Sequence, residues 1–277
     1  ATLVLVGDTD QLPSVGAGNV LGDLIASGAV PCVRLDAIFR QDASGYIVRN
    51  AHRVNQGEPF ELPPPGHDSD FYFMEASDPA KIQDMLLRMV TRRIPARFRL
   101  DPLHDVQVLT PMRRGELGTD RLNELLQRQM NPTGPALLRG ATAFRARDRV
   151  MQIANDYDKD VFNGDIGFVL HVDPEERTLL VDFDGKTVEY KQDELDELTL
   201  AYATSIHKSQ GSEYPAVVIL LHTQHFKLLR KNLLYTAITR GKRLVVVIGS
   251  SKAVWIALHA EADLRRQTTL AQRLAAL

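Results

Sequence analysis

Apolar runs and helical apolar spacings alternate along the chain, and the alternation predicts an α/β fold. Residues 2–6 hold the unbroken apolar run Leu3-Val4-Leu5-Val6. Ended by Gly7-Asp8, it predicts a buried strand. Residues 19–27 and 47–54 predict helices, the second ended by Gly57 and Pro59. Residues 61–69 carry three consecutive prolines, Pro63 to Pro65, and form the most linker-like stretch. A strand-like run follows over residues 71–74. Asp78-Pro79 then makes a helix start, with Asp78 as N-cap and Pro79 at the first helical position. That helix is predicted to run to about Arg92. Residues 106–109 predict a strand, and residues 117–130 a helix with apolar positions at Leu122, Leu125 and Leu126.

From about 148 to 191 the period shortens. Residues 149–153, 167–172, 178–183 and 187–190 predict strands, separated by Asn163-Gly164-Asp165, Asp173-Pro174-Glu175-Glu176 and Asp184-Gly185. This pattern predicts a small antiparallel barrel inserted in an α/β chain. Residues 217–221 and 244–248 then predict strands, and residues 233–240 a helix closed by Gly241. The last twenty-five residues predict two short helices. Strand–helix alternation implies a parallel sheet covered on both faces.

Composition bounds the reading. The 277 residues are 44% hydrophobic and 25% charged, with 33 basic and 35 acidic side chains, as in an ordinary globular protein. The single cysteine, Cys32, excludes an intrachain disulfide and a multi-cysteine zinc site, and fits a reducing, cytoplasmic compartment. The longest apolar runs, such as residues 216–221, are too short to span a bilayer, and no signal-peptide pattern opens the chain. A strand beginning at Ala1, with no methionine, is expected of a chain cut from something longer.

Charge is segregated. Residues 88–150 hold thirteen arginines and six acids, a net of +7; residues 155–197 hold fourteen acids and four bases, a net of −10. Residues 204–252 return to +7, with eight bases and one acid, Glu213. Solvated helix faces would account for this. So would a polyanion path, with the acidic block as a module facing elsewhere.

Four strings carry chemistry. In Gly7-Asp8-Thr9-Asp10-Gln11-Leu12-Pro13 a strand end presents Gln11, whose amide can hold a phosphate oxygen and its attacking water; Asp8 can equally be a local cap. In Phe39-Arg40-Gln41 a guanidinium can clamp a phosphate. In residues 205–213 a run of donors contains Gly211, where backbone can approach phosphates closely, and Glu213, which can take a ribose hydroxyl. In residues 234–242 Arg240 lies at a helix C-terminus. There it suits the helix dipole, or acts as an arginine finger on transition-state charge.

Together these strings resemble the later helicase motifs of superfamily 1. The likeness is nearest to RecD-like exonuclease V alpha subunits and conjugative TraA-type helicases. Gly7-Asp8-Thr9-Asp10-Gln11-Leu12-Pro13-Ser14-Val15 resembles motif III. Leu109-Thr110-Pro111-Met112-Arg113-Arg114-Gly115 resembles the motif IV region, residues 205–213 motif V and residues 235–240 motif VI. Asn163-Gly164-Asp165-Ile166-Gly167 is similar to the entry of the SH3-like barrel such enzymes carry.

The resemblance implies the end of a first RecA-like lobe over residues 1–60 and the start of a second over 61–149. An inserted SH3-like barrel follows over 150–195, and the rest of the second lobe over 196–277. It implies ATP between the lobes, contacted by Asp8, Gln11, Arg40, Gly211, Glu213 and Arg240, with Gln11, Arg40 and Arg240 acting in hydrolysis. It implies single-stranded DNA contacted by Thr110, Arg113, Ser205, His207 and Lys208, mostly through phosphates. It also implies 5′-to-3′ movement, a role in recombination and repair alongside other subunits, and no membrane.

Gly185-Lys186-Thr187 is the only Gly-Lys-Thr, and Leu180 stands where a Walker A glycine is required, so it reads as a hairpin turn. The phosphate-gripping lysine and the acidic pair that holds Mg2+ are therefore expected in a missing N-terminal half, and this part alone is expected to be inactive. The helicase part of a relaxase, or a non-catalytic DNA-binding module, would share these features.

Overall fold

In the computed structural model the described residues are 2–13, 16–35, 45–260 and 268–276. Two helices come first, α1 (Val20–Ser27) and α2 (Tyr46–Gln56). Gly57 ends α2 at φ 79°, the left-handed cap that glycine adopts at little cost. Strand β1 (Phe71–Glu75) precedes α3 (Pro79–Arg88), whose N-cap Asp78 accepts the Lys81 N–H at 2.8 Å.

The helical path continues past the predicted end at Arg92. A π-helical turn, Met89–Arg93, leads into α4 (Ile94–Phe98). Pro95 explains the wide turn: it has no N–H to donate and its ring crowds the carbonyl four residues back.

Strand β2 (Val106–Thr110) and helix α5 (Thr119–Met130) follow. A hairpin of β3 (Ala136–Arg139) and β4 (Thr142–Arg145) leads into a five-stranded antiparallel sheet. Its strands are β5 (Arg149–Gln152), β6 (Ile166–Asp173), β7 (Thr178–Phe183), β8 (Lys186–Lys191) and β9 (Leu198–Leu200), in spatial order β8-β7-β6-β5-β9. Between β7 and β8, Asp184 and Gly185 both take positive φ, 50° and 90°, as a two-residue hairpin turn demands.

The chain then returns through β10 (Ala203–Ser205), β11 (Tyr214–Leu221), α6 (Lys231–Ile238), β12 (Gly241–Gly249), α7 (Ser251–His259) and α8 (Leu270–Ala275). Strands β1, β12, β11, β2 and β10 form one parallel sheet in that order. Alternate residues of each strand supply its two faces. Ala216, Val218, Leu220, Leu244 and Val246 join Ile82, Leu86, Leu122 and Leu126 in a core that runs on into the antiparallel sheet. Val217, Ile219, Val245 and Val247 join Ile47, Val54, Leu233, Ala237 and Ala257 on the other face. The predicted α/β fold, a covered parallel sheet with a small antiparallel module, is the fold observed.

Two expectations are corrected. Residues 2–6 form no strand, and Leu3, Val4 and Val6 are 82%, 75% and 90% exposed. A strand exists only when a neighbour satisfies its backbone, and none among the described residues pairs with this segment. Gly241 does not cap a helix: α6 ends at Ile238 and Gly241 opens β12. A Cβ there would clash with Val245 Cγ2, so the glycine answers a close approach inside the sheet.

Candidate functional site

Arg240 lies between the end of α6 and the start of β12 and is 3% exposed. Its guanidinium is held from three sides. Nε donates to the Thr236 carbonyl at 3.1 Å, Nη1 to the Ser212 carbonyl at 2.8 Å, and Nη2 to Gln11 Oε1 at 3.0 Å. The arginine thus satisfies a helix-terminal carbonyl and faces the N-terminal glutamine at once. Its own carbonyl accepts the Tyr214 N–H at 2.9 Å, which ties the start of β12 to the start of β11.

The N-terminal loop is anchored on α6 and on the crossover before β11. Thr236 Oγ1 accepts the Leu12 N–H at 2.8 Å, and Gln210 Nε2 donates to the Leu12 carbonyl at 2.6 Å. Asp8 Oδ1 accepts the Asp10 N–H at 2.9 Å, a local turn. Asp8 Oδ2 accepts from Gln11 Nε2 at 3.1 Å and from the Tyr235 hydroxyl at 3.2 Å. Burial, reinforced by the Asp8 carboxylate, pushes the Tyr235 hydroxyl well above its ordinary pKa, so it stays a donor.

Gly211 takes φ +84°, and no atom lies within 4 Å of where its Cβ would be, leaving the backbone open to an incoming group. Glu213 forms an ion pair with Lys242. Asp8, Gln11, Gly211, Glu213 and Arg240 therefore lie on connected segments at one end of the sheet. Arg40 lies outside the described residues.

The second set lies at the opposite strand ends. Ser205 and Thr110 are register partners at the C-terminal ends of β10 and β2. Ser205 Oγ accepts the Lys208 N–H at 3.4 Å, starting the short helical turn Ile206–Ser209. Thr110 is fully buried and its hydroxyl donates to the Leu117 carbonyl at 2.6 Å. It therefore braces the 110–118 loop and offers no surface donor.

Arg113 is exposed and bridges to Asp120 at 3.1 Å. Partial burial, and then the Arg113 charge, lower the Lys208 pKa, so these two cations face the same region. Burial alone lowers that of His207. The 206–213 crossover from β10 to β11 thus carries the strand-end set at its start and the Arg240 set at its finish.

Tyr235, Thr236 and Gln210 stand inside the motif strings, yet their partners, Asp8 and Leu12, are about two hundred positions away. The only sequence signal was their membership of those strings.

A covered parallel sheet, an arginine buried at its strand ends against an N-terminal glutamine loop, and an attached antiparallel module define an α/β lobe with a small β insertion. The sequence profile of the ATP-dependent RecD-like DNA helicase SH3 domain matches residues 122–183. That of the UvrD-like helicase C-terminal domain matches 200–248, and that of an AAA domain 1–62.

The chain is 38% identical over 276 residues to the ATP-dependent RecD2 DNA helicase of Deinococcus radiodurans, covering 100% of this chain and 36% of that protein. It is 30% identical over 280 residues to the RecBCD enzyme subunit RecD of Mycolicibacterium smegmatis, covering 98% of this chain and 49% of that one. The chain belongs to the RecD-like helicases of superfamily 1 and corresponds to their carboxy-terminal region. It spans between a third and a half of the length of these relatives. The Bacteroides Pif1 helicase in complex with ADP-AlF3 and ssDNA shares the fold, with a TM-score of 0.55 and 16% identity over 91% of this chain and 62% of that one.

Among the described residues no helix is long and apolar enough to cross a membrane.

Proposed function

We propose that this region forms part of an ATP-driven motor that moves along single-stranded DNA. The observation that carries the reading is the hydrogen bond from Arg240 Nη2 to Gln11 Oε1, 3.0 Å long across 229 positions of sequence. It brings a planar cation and a neutral amide to one point, the pairing that a terminal phosphate and its attacking water require. In this reading Arg240 stabilises charge developing on the transferred phosphoryl group and Gln11 orients the water. Gly211 lets the backbone approach the phosphates, Glu213 takes the ribose, and Arg40 adds a second guanidinium.

Single-stranded DNA would cross the opposite strand ends near Arg113, Ser205, His207 and Lys208, held mainly by phosphate charge. The 206–213 crossover would relate the two sites mechanically. The lobes and barrel would divide near residues 60, 150 and 195. Mg2+ would accompany the nucleotide. No three His, Cys, Asp or Glu side chains among the described residues come together as a metal site, so its ligands are not assigned to them. The working place would be the cytoplasm, in recombination or repair, with further subunits as partners.

The test is ATP hydrolysis by the intact protein with and without an oligonucleotide. Hydrolysis stimulated by single-stranded DNA, and abolished in Arg240→Ala, is the expected result. A folded protein that binds the oligonucleotide but never hydrolyses ATP would leave only a DNA-binding module.

A further inference from the structure

Arg149 opens β5 of the antiparallel sheet and is 4% exposed. Burial lowers its pKa, with Tyr214 opposing the shift, and among the described residues no carboxylate forms an ion pair with it. Nη1 donates to the carbonyl of Leu103 at 3.1 Å, on the approach to β2 of the parallel sheet, and to that of Val106 at 3.0 Å, the first residue of β2. Nε has no partner. The guanidinium carbon lies 5.9 Å from the Phe168 ring centroid and 5.5 Å from that of Tyr214. Phe168 belongs to β6 of the antiparallel sheet, and Tyr214 is the first residue of β11 in the parallel one.

A buried cation without a counter-ion is costly for a fold to keep. An apolar side chain of similar length would fill the space with less penalty. The arginine does what an apolar side chain cannot: it bonds two lobe carbonyls while contacting an aromatic ring in each sheet. Tyr214 in turn follows Glu213 directly and gives its N–H to the Arg240 carbonyl at 2.9 Å. A continuous chain of contacts therefore runs from Phe168 through Arg149 and Tyr214 to Arg240.

We propose that Arg149 is a positioning residue that transmits the attitude of the antiparallel module to the Glu213–Tyr214–Arg240 end of the nucleotide site. The proposal rests on the motor reading above, because it supposes that Arg240 acts on phosphate. It predicts that displacing the module relative to the parallel sheet shifts Tyr214 and loosens Arg240. The charge at 149 would then be kept for coupling at the expense of stability.

The test uses the intact protein with Arg149→Met, Arg149→Lys and Phe168→Leu, and three readouts: melting temperature, hydrogen exchange at the Tyr214 amide, and steady-state ATPase with single-stranded DNA. Arg149→Met removes an unpaired buried charge but leaves the Leu103 and Val106 carbonyls without their charged donor, so it should melt somewhat earlier than the parent while remaining folded. Its Tyr214 amide should exchange about tenfold faster. Its kcat should fall by about 10-fold to 100-fold with KM for ATP nearly unchanged, the signature of a misplaced transition-state group. Arg149→Lys should recover part of both effects. Arg149→Met with parental kcat and parental Tyr214 exchange would overturn the proposal and leave Arg149 a space-filling residue.

If Arg149→Met does not fold, Phe168→Leu decides. It keeps the charge and removes one ring face, and should change both readouts by about twofold to tenfold in the same direction. No change in either overturns the proposal. If the parent protein itself hydrolyses no ATP, the motor reading falls, and the exchange rate at Tyr214 still decides whether Arg149 holds that strand.

Discussion

Arg240 Nη2 donates to Gln11 Oε1 at 3.0 Å, while Nε and Nη1 of the same guanidinium hold the Thr236 and Ser212 carbonyls. A helix-terminal cap and a finger aimed at a phosphate are thus one side chain in one conformation. Arg240→Ala should therefore do two things in the intact protein. ATP turnover should fall by roughly 10³ to 10⁵. Melting should also come earlier, by about 1–3 kcal/mol of stability, because two carbonyls are deprived of a charged donor. Lysine should restore more of the stability than of the rate, since a point charge cannot reproduce the planar fork. Steady-state ATPase and thermal melting on one preparation check this. Normal turnover in folded Arg240→Ala would confine the residue to capping.

Arg113 and Lys208 face one region beside the β2 and β10 strand ends, where the Arg113 charge adds to burial in lowering the Lys208 pKa. A phosphate between the two cations would relieve their repulsion. The double variant Arg113→Ala/Lys208→Ala should bind an oligonucleotide more weakly and with a flatter salt dependence. On a single strand, every phosphate that a cation neutralises adds about 0.7 to the steepness of the log–log salt plot. Fluorescence anisotropy across a salt series measures it. An unchanged slope would move the strand path elsewhere.

His225 is 1% exposed, and burial together with neighbouring His222 lowers its pKa to about 4. Its Nδ1 accepts the His222 N–H at 3.2 Å, a bond that needs a bare ring nitrogen. The unfolded chain takes up this proton near pH 6.5, before the folded one does. Stability is therefore complete above about pH 6.5 and falls as pH drops toward 4, by up to about 3 kcal/mol from this group. Chemical denaturation from pH 7.5 to 4.5 should show the decline, and His225→Gln should flatten it.

Gly241 sits where β12 begins, and a Cβ there would clash with Val245 Cγ2 and meet the Leu244 carbonyl at 3.0 Å. Gly241→Ala should destabilise by about 1–3 kcal/mol through this overpacking. The same change should lower turnover, because Gly241 follows Arg240 directly. Melting and ATPase should move together. An alanine variant as stable as the parent would show that the start of β12 yields.

Sequence alone determined the elements whose cause is local. The apolar runs of residues 106–109 and 217–221, the Asp78-Pro79 start and the Asp184-Gly185 turn act through neighbours along the chain, so strands, helix start and hairpin were legible, with the strand bounds extended to 106–110 and 214–221 by pairing. The motif strings likewise named Gln11, Gly211, Glu213 and Arg240 before any contact was known. Tertiary structure decided what depends on distant partners. The run at Leu3 to Val6 has the strand period but finds no neighbour among the described residues, and apolar character cannot supply one. The resemblance placed Thr110 among the DNA contacts, yet its hydroxyl is turned inward to Leu117. Arg149 was one of thirteen arginines in a basic block, and nothing along the chain distinguishes it. Its place between Phe168 and Tyr214 exists only once two sheets meet, because burial and ring contacts belong to the assembled fold.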